Sequence, residues 1–215
     1  MKSDIKDFTS KCETCTSYST RQQKETLISH DVPDRPWAKI STDLFHLDHK
    51  SYMVTVDYFS GFFEIDRLYD LKVSTVIRKL KMHMARYGIP DEVVSDSGSQ
   101  YTSREFKNFA KEYAGFNHVT TSPYHHQSNG RAESAVKEAK KILKKPAASK
   151  SDPYLVLLAH RNTPHEGFGT SPAQRLFSRR TKTNLPTCSN SLKPSEAEDT
   201  LEKAKLRKSR QKLVL

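Results

Sequence analysis

The first clear pattern of hydrophobic and polar positions lies between Ile40 and Leu68, where apolar and β-branched residues dominate three short runs. These runs read ISTDLFHL, SYMVTVDYF and FFEIDRL. The segments between them, Asp48-His49-Lys50 and Ser60-Gly61, are rich in residues that form turns. Short connections of this kind join antiparallel neighbours, so the pattern predicts three antiparallel strands in a meander.

A helical period replaces the extended pattern after residue 72. Apolar residues recur there at steps of three and four: Val73, Val76, Ile77, Leu80 and Met84. This spacing predicts one helix, and Gly88 followed by Pro90 supplies its stop signal.

Short strands and helices then alternate. The run DEVVSD predicts a buried strand that ends at Asp96, and HVTTS predicts another strand. Between them Ser103 is a candidate N-cap for a helix. The apolar face of that helix would carry Phe106, Phe109, Ala110 and Tyr113.

Three more helices are predicted in the second half of the chain. A lysine-rich helix should run from Ala132 to Lys145 and end before Pro146, because proline breaks helices. Two shorter helices are expected at Tyr154 to His160 and at Ser171 to Phe177. The charged tail beyond Ser195 could continue as helix.

This order of elements predicts an α/β fold with a mixed five-stranded sheet flanked by helices. It is similar to the ribonuclease-H-like arrangement. A polar N-terminal arm precedes the predicted core, and a charged tail follows it. Fold order does not fix function, so any functional claim must rest on particular residues.

Composition places limits on the function. The chain has 215 residues, 35% of them hydrophobic, which suits one sizeable domain with polar extensions. It contains no apolar run of the roughly 20 residues that a membrane helix needs and no signal-peptide pattern, so we expect a soluble intracellular protein. Three cysteines do not indicate a disulfide framework.

The net charge of +11 is concentrated late in the chain. Residues 131 to 150 hold seven Lys or Arg and two Asp or Glu, and residues 179 to 215 hold ten and four. These segments are candidates for contact with a polyanion such as DNA. A solubilising surface and a disordered tail would explain the same charges.

Two aspartates are candidate site residues. Asp43 interrupts the first strand candidate, where it could be a metal ligand or simply a surface-facing residue. Asp96 ends a buried strand, where its side chain would lie at the carboxyl end of the sheet. A turn-capping aspartate would explain Asp96 equally well.

Glu133 is the third candidate acid, at the start of the lysine-rich helix. At about 100° per residue it shares a stripe with Lys137, Lys140 and Lys144. The apolar residues of the helix, Val136, Ala139, Ile142 and Leu143, occupy another face. Glu133 could pair with Lys137 on the surface, or it could turn toward the sheet while the lysines contact phosphate oxygens.

Three converging carboxylates would repel one another unless cations neutralised them. Mg²⁺ prefers oxygen ligands, and a pair of such ions can clamp the attacking and leaving oxygens of a displacement at phosphorus. The three acids therefore indicate phosphoryl transfer on DNA.

Residues 36 to 187 resemble the integrases of gypsy-like LTR retrotransposons and of their retroviral relatives. The matching strings are PWAKISTDLFHLDHKSYMVTVDYFSGFFEI, YGIPDEVVSDSGSQYTSREFKNFAKEY, TTSPYHHQSNGRAESAVKEAKKIL and HRNTPHEGFGTSPAQRLFSRR. Taken together they are far more specific than any single acidic residue.

The resemblance implies a metal-binding catalytic triad of Asp43, Asp96 and Glu133 that holds two Mg²⁺ or Mn²⁺ ions. It implies 3′-end processing of element DNA, followed by attack of the new 3′-hydroxyl on target DNA. The partners would be double-stranded DNA and further copies of the chain, in the nucleus after a cytoplasmic phase. No membrane partner is expected.

The resemblance also assigns residues to DNA contact. Gln127, Ser128 and Asn129 would belong to a flexible active-site loop, and Lys137 and Lys140 to a helix face that touches DNA. Lys144 continues the same lysine row.

The chain also departs from the family pattern. Between Asp96 and Glu133 lie 36 residues, one more than is usual, and we expect the extra residue near Ala114-Gly115. Ser97, Ser99 and His126 replace the asparagine and the two prolines that are usual around the site. These changes leave the three acids in place.

The N-terminal segment departs further. Cys12 and Cys15 match half of the small zinc module found in such integrases, but no histidine precedes them. Since zinc favours four ligands, we expect no bound zinc in this chain. Residues 1–32 would then be a remnant of the module and a linker, residues 33–187 the catalytic core, and residues 188–215 a charged tail.

Two functions therefore remain open. One is an active DNA strand transferase, and the other is a domesticated or decayed integrase that binds DNA without cutting it.

Overall fold

The structure, a computed structural model, describes residues 32–121, 130–149, 152–165 and 167–193, together with Leu206. The cysteine pair Cys12 and Cys15 lies outside the described residues. The same holds for the loop residues Gln127, Ser128 and Asn129, and for the charged tail beyond Ser195 apart from Leu206.

Five strands form one mixed sheet, as predicted. They are β1 (Lys39–Leu47), β2 (Lys50–Asp57), β3 (Phe63–Leu68), β4 (Glu92–Ser95) and β5 (Asn117–Thr120). The strand order is β3-β2-β1-β4-β5. The first three strands are antiparallel neighbours, which confirms the meander, whereas β4 pairs in parallel with both β1 and β5.

The helices cover both faces of this sheet. They are α1 (Val73–Tyr87), α2 (Ser99–Thr102), α3 (Arg104–Asn108), α4 (Gly130–Ser149), α5 (Pro153–Asn162) and α6 (Pro172–Phe177). A π-helical segment (Phe109–Ala114) continues α3, and a 3-10 turn (Ser189–Leu192) lies near the end of the described chain.

Each face of the sheet carries its own hydrophobic core, because successive side chains of a strand point to opposite faces. On one face Phe45, Val54 and Val56 pack against the alanines and Ile142 of α4. On the other face Ile40 and Met53 pack against α1, α3 and the π-helical segment, and Trp37 closes this core. The helix bearing Glu133 therefore covers one defined face of the sheet.

Side-chain caps fix the starts of several helices. Ser103 accepts a hydrogen bond from the backbone N–H of Phe106, which confirms it as the N-cap of α3. Ser171 and Gln174 form a capping box at the start of α6. Both patterns are local, so the sequence alone locates these helix starts.

Two details of the predicted helices are wrong. Helix α4 continues to Ser149 instead of ending before Pro146. A proline removes one helical hydrogen bond but has a φ that a helix accepts, so the helix passes through it. Tyr113 is 48% exposed instead of buried, because the chain leaves the α-helical period at Phe109.

The π-helical segment lies just before the position where we expect the extra residue. Its hydrogen bonds span one residue more than those of an α-helix. Gly115 follows in the left-handed region with φ of 62° and ends the segment. The additional residue therefore fits within the helix as well as in the connection after it.

Hydrogen bonds and ion pairs connect α1 and α5 to the edge strand β3. The guanidinium of Arg161 donates to the carbonyl of Phe63 and to Glu64, at 2.6 and 2.7 Å. Burial alone would raise the pKa of Glu64, but Arg161 and the hydroxyl of Tyr87 outweigh burial and hold that pKa low. Arg161 thus has a structural role, because it holds the end of α5 against β3.

No helix among the described residues is both long enough and apolar enough to cross a bilayer.

Candidate active site

Asp43 lies in the middle of β1, half-buried, with its partner Val54 on β2. Strand alternation places it on the same face as Phe45, which packs against α4. Its Oδ1 accepts a hydrogen bond of 2.8 Å from the backbone N–H of Leu44. The side chain therefore lies on the face of the sheet that α4 covers.

Asp96 is the first residue after β4. Strands β1 and β4 run parallel, and their last registered pair is Thr42 with Ser95. Asp43 and Asp96 both follow this pair, so their backbones are adjacent at the carboxyl end of β4. Asp96 also caps the next turn, because its Oδ1 accepts a 3.0 Å hydrogen bond from the N–H of Gly98.

Glu133 lies in the first turn of α4. Its charge, together with that of Asp96, acts on Asp43. Burial is the main reason that the pKa of Asp43 rises from 3.8 to about 6, with the negative charges of Asp96 and Glu133 adding to the shift. The hydrogen bond from Leu44 and the charge of Lys140 act in the opposite direction. The charges of Asp96 and Glu133 thus both act on Asp43.

The residues that precede the two aspartates are hydrogen-bonded on the opposite face of the sheet. Thr42, which precedes Asp43, is hydrogen-bonded to the hydroxyl of buried Tyr101 at 3.0 Å. Ser95, which precedes Asp96, is hydrogen-bonded to His118 on β5 at 3.0 Å. Neither pair was found from the sequence, because the partners are 59 and 23 residues apart and no local spacing links them.

The lysines of α4 differ in their surroundings. Lys137 and Lys144 are exposed, as a surface that contacts DNA requires. Lys140 is half-buried, with its Nζ 5.7 Å from the centre of the Phe45 ring. Among the described residues, Glu133 and Lys137 do not form an ion pair, whereas Lys141 pairs with Glu138 at 2.8 Å.

The residues present fit a hard divalent cation by their chemistry. Asp43, Asp96 and Glu133 offer only oxygen donors, and the pKa of Asp43 is raised first by burial and then by the charges of Asp96 and Glu133. Across the described part of the chain, no three His, Cys, Asp or Glu side chains lie close enough together to hold one ion. Mg²⁺ needs only one or two protein carboxylates, because water and phosphate complete its coordination shell. Asp43 and Asp96 could therefore supply the protein ligands of one ion.

Comparison with known proteins agrees with this geometry. Residues 33–126 match the sequence model of the family described as integrase core domain. The chain carries an integrase core domain. The matched residues include β1 to β5 with Asp43 and Asp96, whereas Glu133 lies beyond them.

Solved structures show the same fold. The catalytic core domain of BIV integrase aligns with a TM-score of 0.56 and 22% sequence identity. The alignment covers 65% of this chain and 93% of that domain. The five-stranded mixed sheet with its flanking helices is therefore the ribonuclease-H-like integrase core fold that the order of elements predicts.

Relatives of the integrase core occur in a virus, a yeast and a worm. The Pro-Pol polyprotein of feline foamy virus is 33% identical over an alignment of 158 residues that covers 67% of this chain. The Tf2-3 transposon polyprotein of Schizosaccharomyces pombe is 24% identical over an alignment of 163 residues that covers 67% of this chain. The uncharacterized protein K02A2.6 of Caenorhabditis elegans is 29% identical over an alignment of 191 residues that covers 86% of this chain. The chain spans only 11 to 15% of the length of these relatives.

Proposed function

We propose that this integrase core is a DNA strand transferase that processes the 3′ ends of element DNA and joins them to target DNA. The observation that carries the proposal is the position of Asp43. It lies beside Asp96 in the sheet, faces α4, and has a pKa raised by burial and by the charges of both Asp96 and Glu133. Such clustering of negative charge is unfavourable unless a cation offsets it.

Asp43, Asp96 and Glu133 would hold two Mg²⁺ or Mn²⁺ ions. When bound, such a pair stabilises negative charge on the attacking and leaving oxygens at phosphorus. The protein's contribution is to hold two of the carboxylates side by side, one on β1 and the other directly after β4. The third is carried on a helix that packs against the same face.

The α4 lysines would bind double-stranded DNA. Lys137 and Lys144 are exposed and can reach phosphate oxygens. The charge of Lys140 lowers the pKa of Asp43, so Lys140 would contact a phosphate near the reacting one. Gln127, Ser128 and Asn129 immediately precede α4 in sequence and would approach the DNA beside the same site.

The polyprotein relatives support element DNA as the substrate, since two of them are encoded by a virus and by a transposon. Because integration joins element DNA to host DNA, the protein would act in the nucleus, as an assembly of several copies. The 33–187 segment would be the catalytic unit of that assembly.

A joining assay tests the proposal. A short duplex with a recessed 3′-hydroxyl is incubated with target DNA and with Mg²⁺, Mn²⁺ or EDTA, and DNA binding is measured in parallel. We expect the parent chain to form joined product only with a divalent metal. Asp96→Asn should abolish this product and still bind DNA. Asp48→Asn, in the exposed β1–β2 turn, is the matched control and should join like the parent chain. Folded protein that binds DNA but never joins it would instead identify a DNA-binding protein without catalysis.

A further inference from the structure

A chain of two hydrogen bonds leads from β5 to the backbone of Asp96. The hydroxyl of Ser95 donates to the carbonyl of Asp96 at 2.8 Å. The Nε2 of His118 lies 3.0 Å from the same hydroxyl oxygen. A serine hydroxyl has one hydrogen, which is already used toward Asp96, so His118 must carry the proton on Nε2 and donate to Ser95.

The surroundings of His118 hold its ring in this orientation. The ring packs against Phe106 with a centroid distance of 4.7 Å, and Ser95 is fully buried. Burial, and then the nearby charge of Lys107, lower the pKa of His118, which favours the neutral ring with a single N–H. The environment of His118 thus favours the neutral ring, and a neutral ring with its proton on Nε2 can donate to Ser95.

The pair lies behind the acids. His118 is registered with Val93, two residues before Ser95 on the same face of the sheet, and Val93 belongs to the core beneath α1. Asp43 faces the opposite side, under α4. His118 therefore cannot take part in the proposed reaction directly, and any effect it has on the site must pass through the backbone.

The end of β4 is also held by Thr121 and Ser97. The backbone N–H and the hydroxyl of Thr121 both donate to the carbonyl of Ser95, at 2.9 and 3.2 Å. The hydroxyl of Ser97 donates to the carbonyl of Thr121 at 2.8 Å. These bonds fix the peptides on either side of Asp96, and the Ser95–His118 pair supplies a bond to the Asp96 carbonyl itself.

We infer that His118 is a positioning residue for Asp96, which it orients through the hydroxyl of Ser95. The inference rests on the proposed function, because it matters for activity only if Asp96 is a metal ligand. Without the Nε2 donor, the Ser95 hydroxyl is free to rotate away from the Asp96 carbonyl. The aspartate can then turn more freely at the end of its strand.

Divalent cation binding measures this effect without requiring DNA joining. Mn²⁺ binding to the full chain would be titrated for the wild type, His118→Phe, His118→Gln and Ser95→Ala. Phenylalanine keeps the ring packing on Phe106 but has no donor, so Mn²⁺ affinity should fall about tenfold, the lower end of effects seen for residues that orient metal ligands. Glutamine keeps an N–H at a similar reach and should stay close to the wild type. Unchanged affinity in His118→Phe would overturn the inference.

The chain offers a matched control and an internal check. His46 and Ser51 form another histidine–serine pair, at 3.1 Å, on the exposed β1–β2 hairpin, so His46→Phe should leave Mn²⁺ binding unchanged. The double variant His118→Phe with Ser95→Ala should lose no more affinity than the weaker-binding single variant, because both changes interrupt one chain of bonds. Additive losses would show that the two residues act separately.

Amide hydrogen exchange separates this inference from the proposed function. The N–H of Gly98 donates to the Asp96 carboxylate, so its exchange reports on that side chain without any metal. Exchange at Gly98 should be about tenfold faster in His118→Phe and unchanged in His46→Phe. If Asp96→Asn leaves Mn²⁺ binding intact, the proposed metal site is wrong, and the Gly98 exchange still tests whether His118 orients Asp96. A lower melting temperature with unchanged Gly98 exchange would mean that His118 only stabilises the fold.

Discussion

Replacing Asp43 with asparagine should make the metal-free protein more stable at neutral pH. The pKa of Asp43 is raised from 3.8 to about 6 in the folded chain, first by burial and then by the charge of Asp96. A carboxyl with a raised pKa favours folding while it is protonated. That contribution is complete below about pH 4 and is lost as the pH rises through 6, so at pH 8 the charged side chain opposes folding.

The magnitude follows from the shift. About two pKa units correspond to roughly 3 kcal/mol, at about 1.4 kcal/mol per unit. The side chain is partly exposed, and solvent screening reduces the effect to about 1–2 kcal/mol. Asparagine has nearly the same shape and keeps an oxygen for the N–H of Leu44, so the gain should reflect the lost charge.

Urea unfolding at pH 4 and pH 8, without divalent ions, measures this difference. Asp43→Asn should gain about 1–2 kcal/mol over the wild type at pH 8 and nearly nothing at pH 4. Asp48→Asn, in an exposed turn, should show no such pH dependence. Saturating Mn²⁺ should stabilise the wild type and not Asp43→Asn. The reasoning fails if Asp43→Asn is no more stable than the wild type at pH 8, or if its advantage is the same at both pH values.

Three further outcomes are expected. Lys140→Gln should weaken DNA binding regardless of sequence and reduce the slope of log affinity against log salt by about 1, measured by fluorescence anisotropy; an unchanged slope would contradict a phosphate contact. Ile142→Ala, in the buried face of α4, should lower the free energy of unfolding by about 2–4 kcal/mol, and a loss below 1 kcal/mol would contradict the packing. Arg161→Met should cost about 1–3 kcal/mol near pH 7, because the half-buried Glu64 loses one charged partner and keeps Arg86 and the hydroxyl of Tyr87. Arg161 helps to hold the pKa of Glu64 low against the effect of burial, so this cost should shrink as acid protonates Glu64, and a cost independent of pH would contradict the ion pair.

The sequence alone predicts those parts of the fold that depend on local signals. The three-stranded meander follows from alternation and two turns, and the start of α3 follows from the Ser103 cap. The end of α4 could not be predicted in this way, because a proline would end an isolated helix, whereas α4 as a whole packs against the sheet and against α5.

The candidate site also has parts that the sequence predicts and parts that depend on long-range packing. Asp43 and Asp96 could be selected from the sequence because a carboxylate in an apolar strand and another at a strand end are unusual positions. Their nearness depends on the parallel pairing of β1 with β4, which joins residues more than 50 positions apart. The Ser95–His118 pair has no sequence signal at all, because a serine and a histidine in two short strands are individually unremarkable.

A change of metal preference tests directly whether Asp96 binds the metal used for DNA joining. Asp96→Cys replaces a hard oxygen ligand with a softer sulfur, which binds Mg²⁺ poorly and softer ions better. Joining assays in Mg²⁺, Mn²⁺ and Cd²⁺ would compare this variant with the wild type. We expect no joined product from Asp96→Cys in Mg²⁺ and partial recovery in Mn²⁺ or Cd²⁺. Joining by Asp96→Cys in Mg²⁺ at the wild-type rate would contradict a metal-binding role for Asp96.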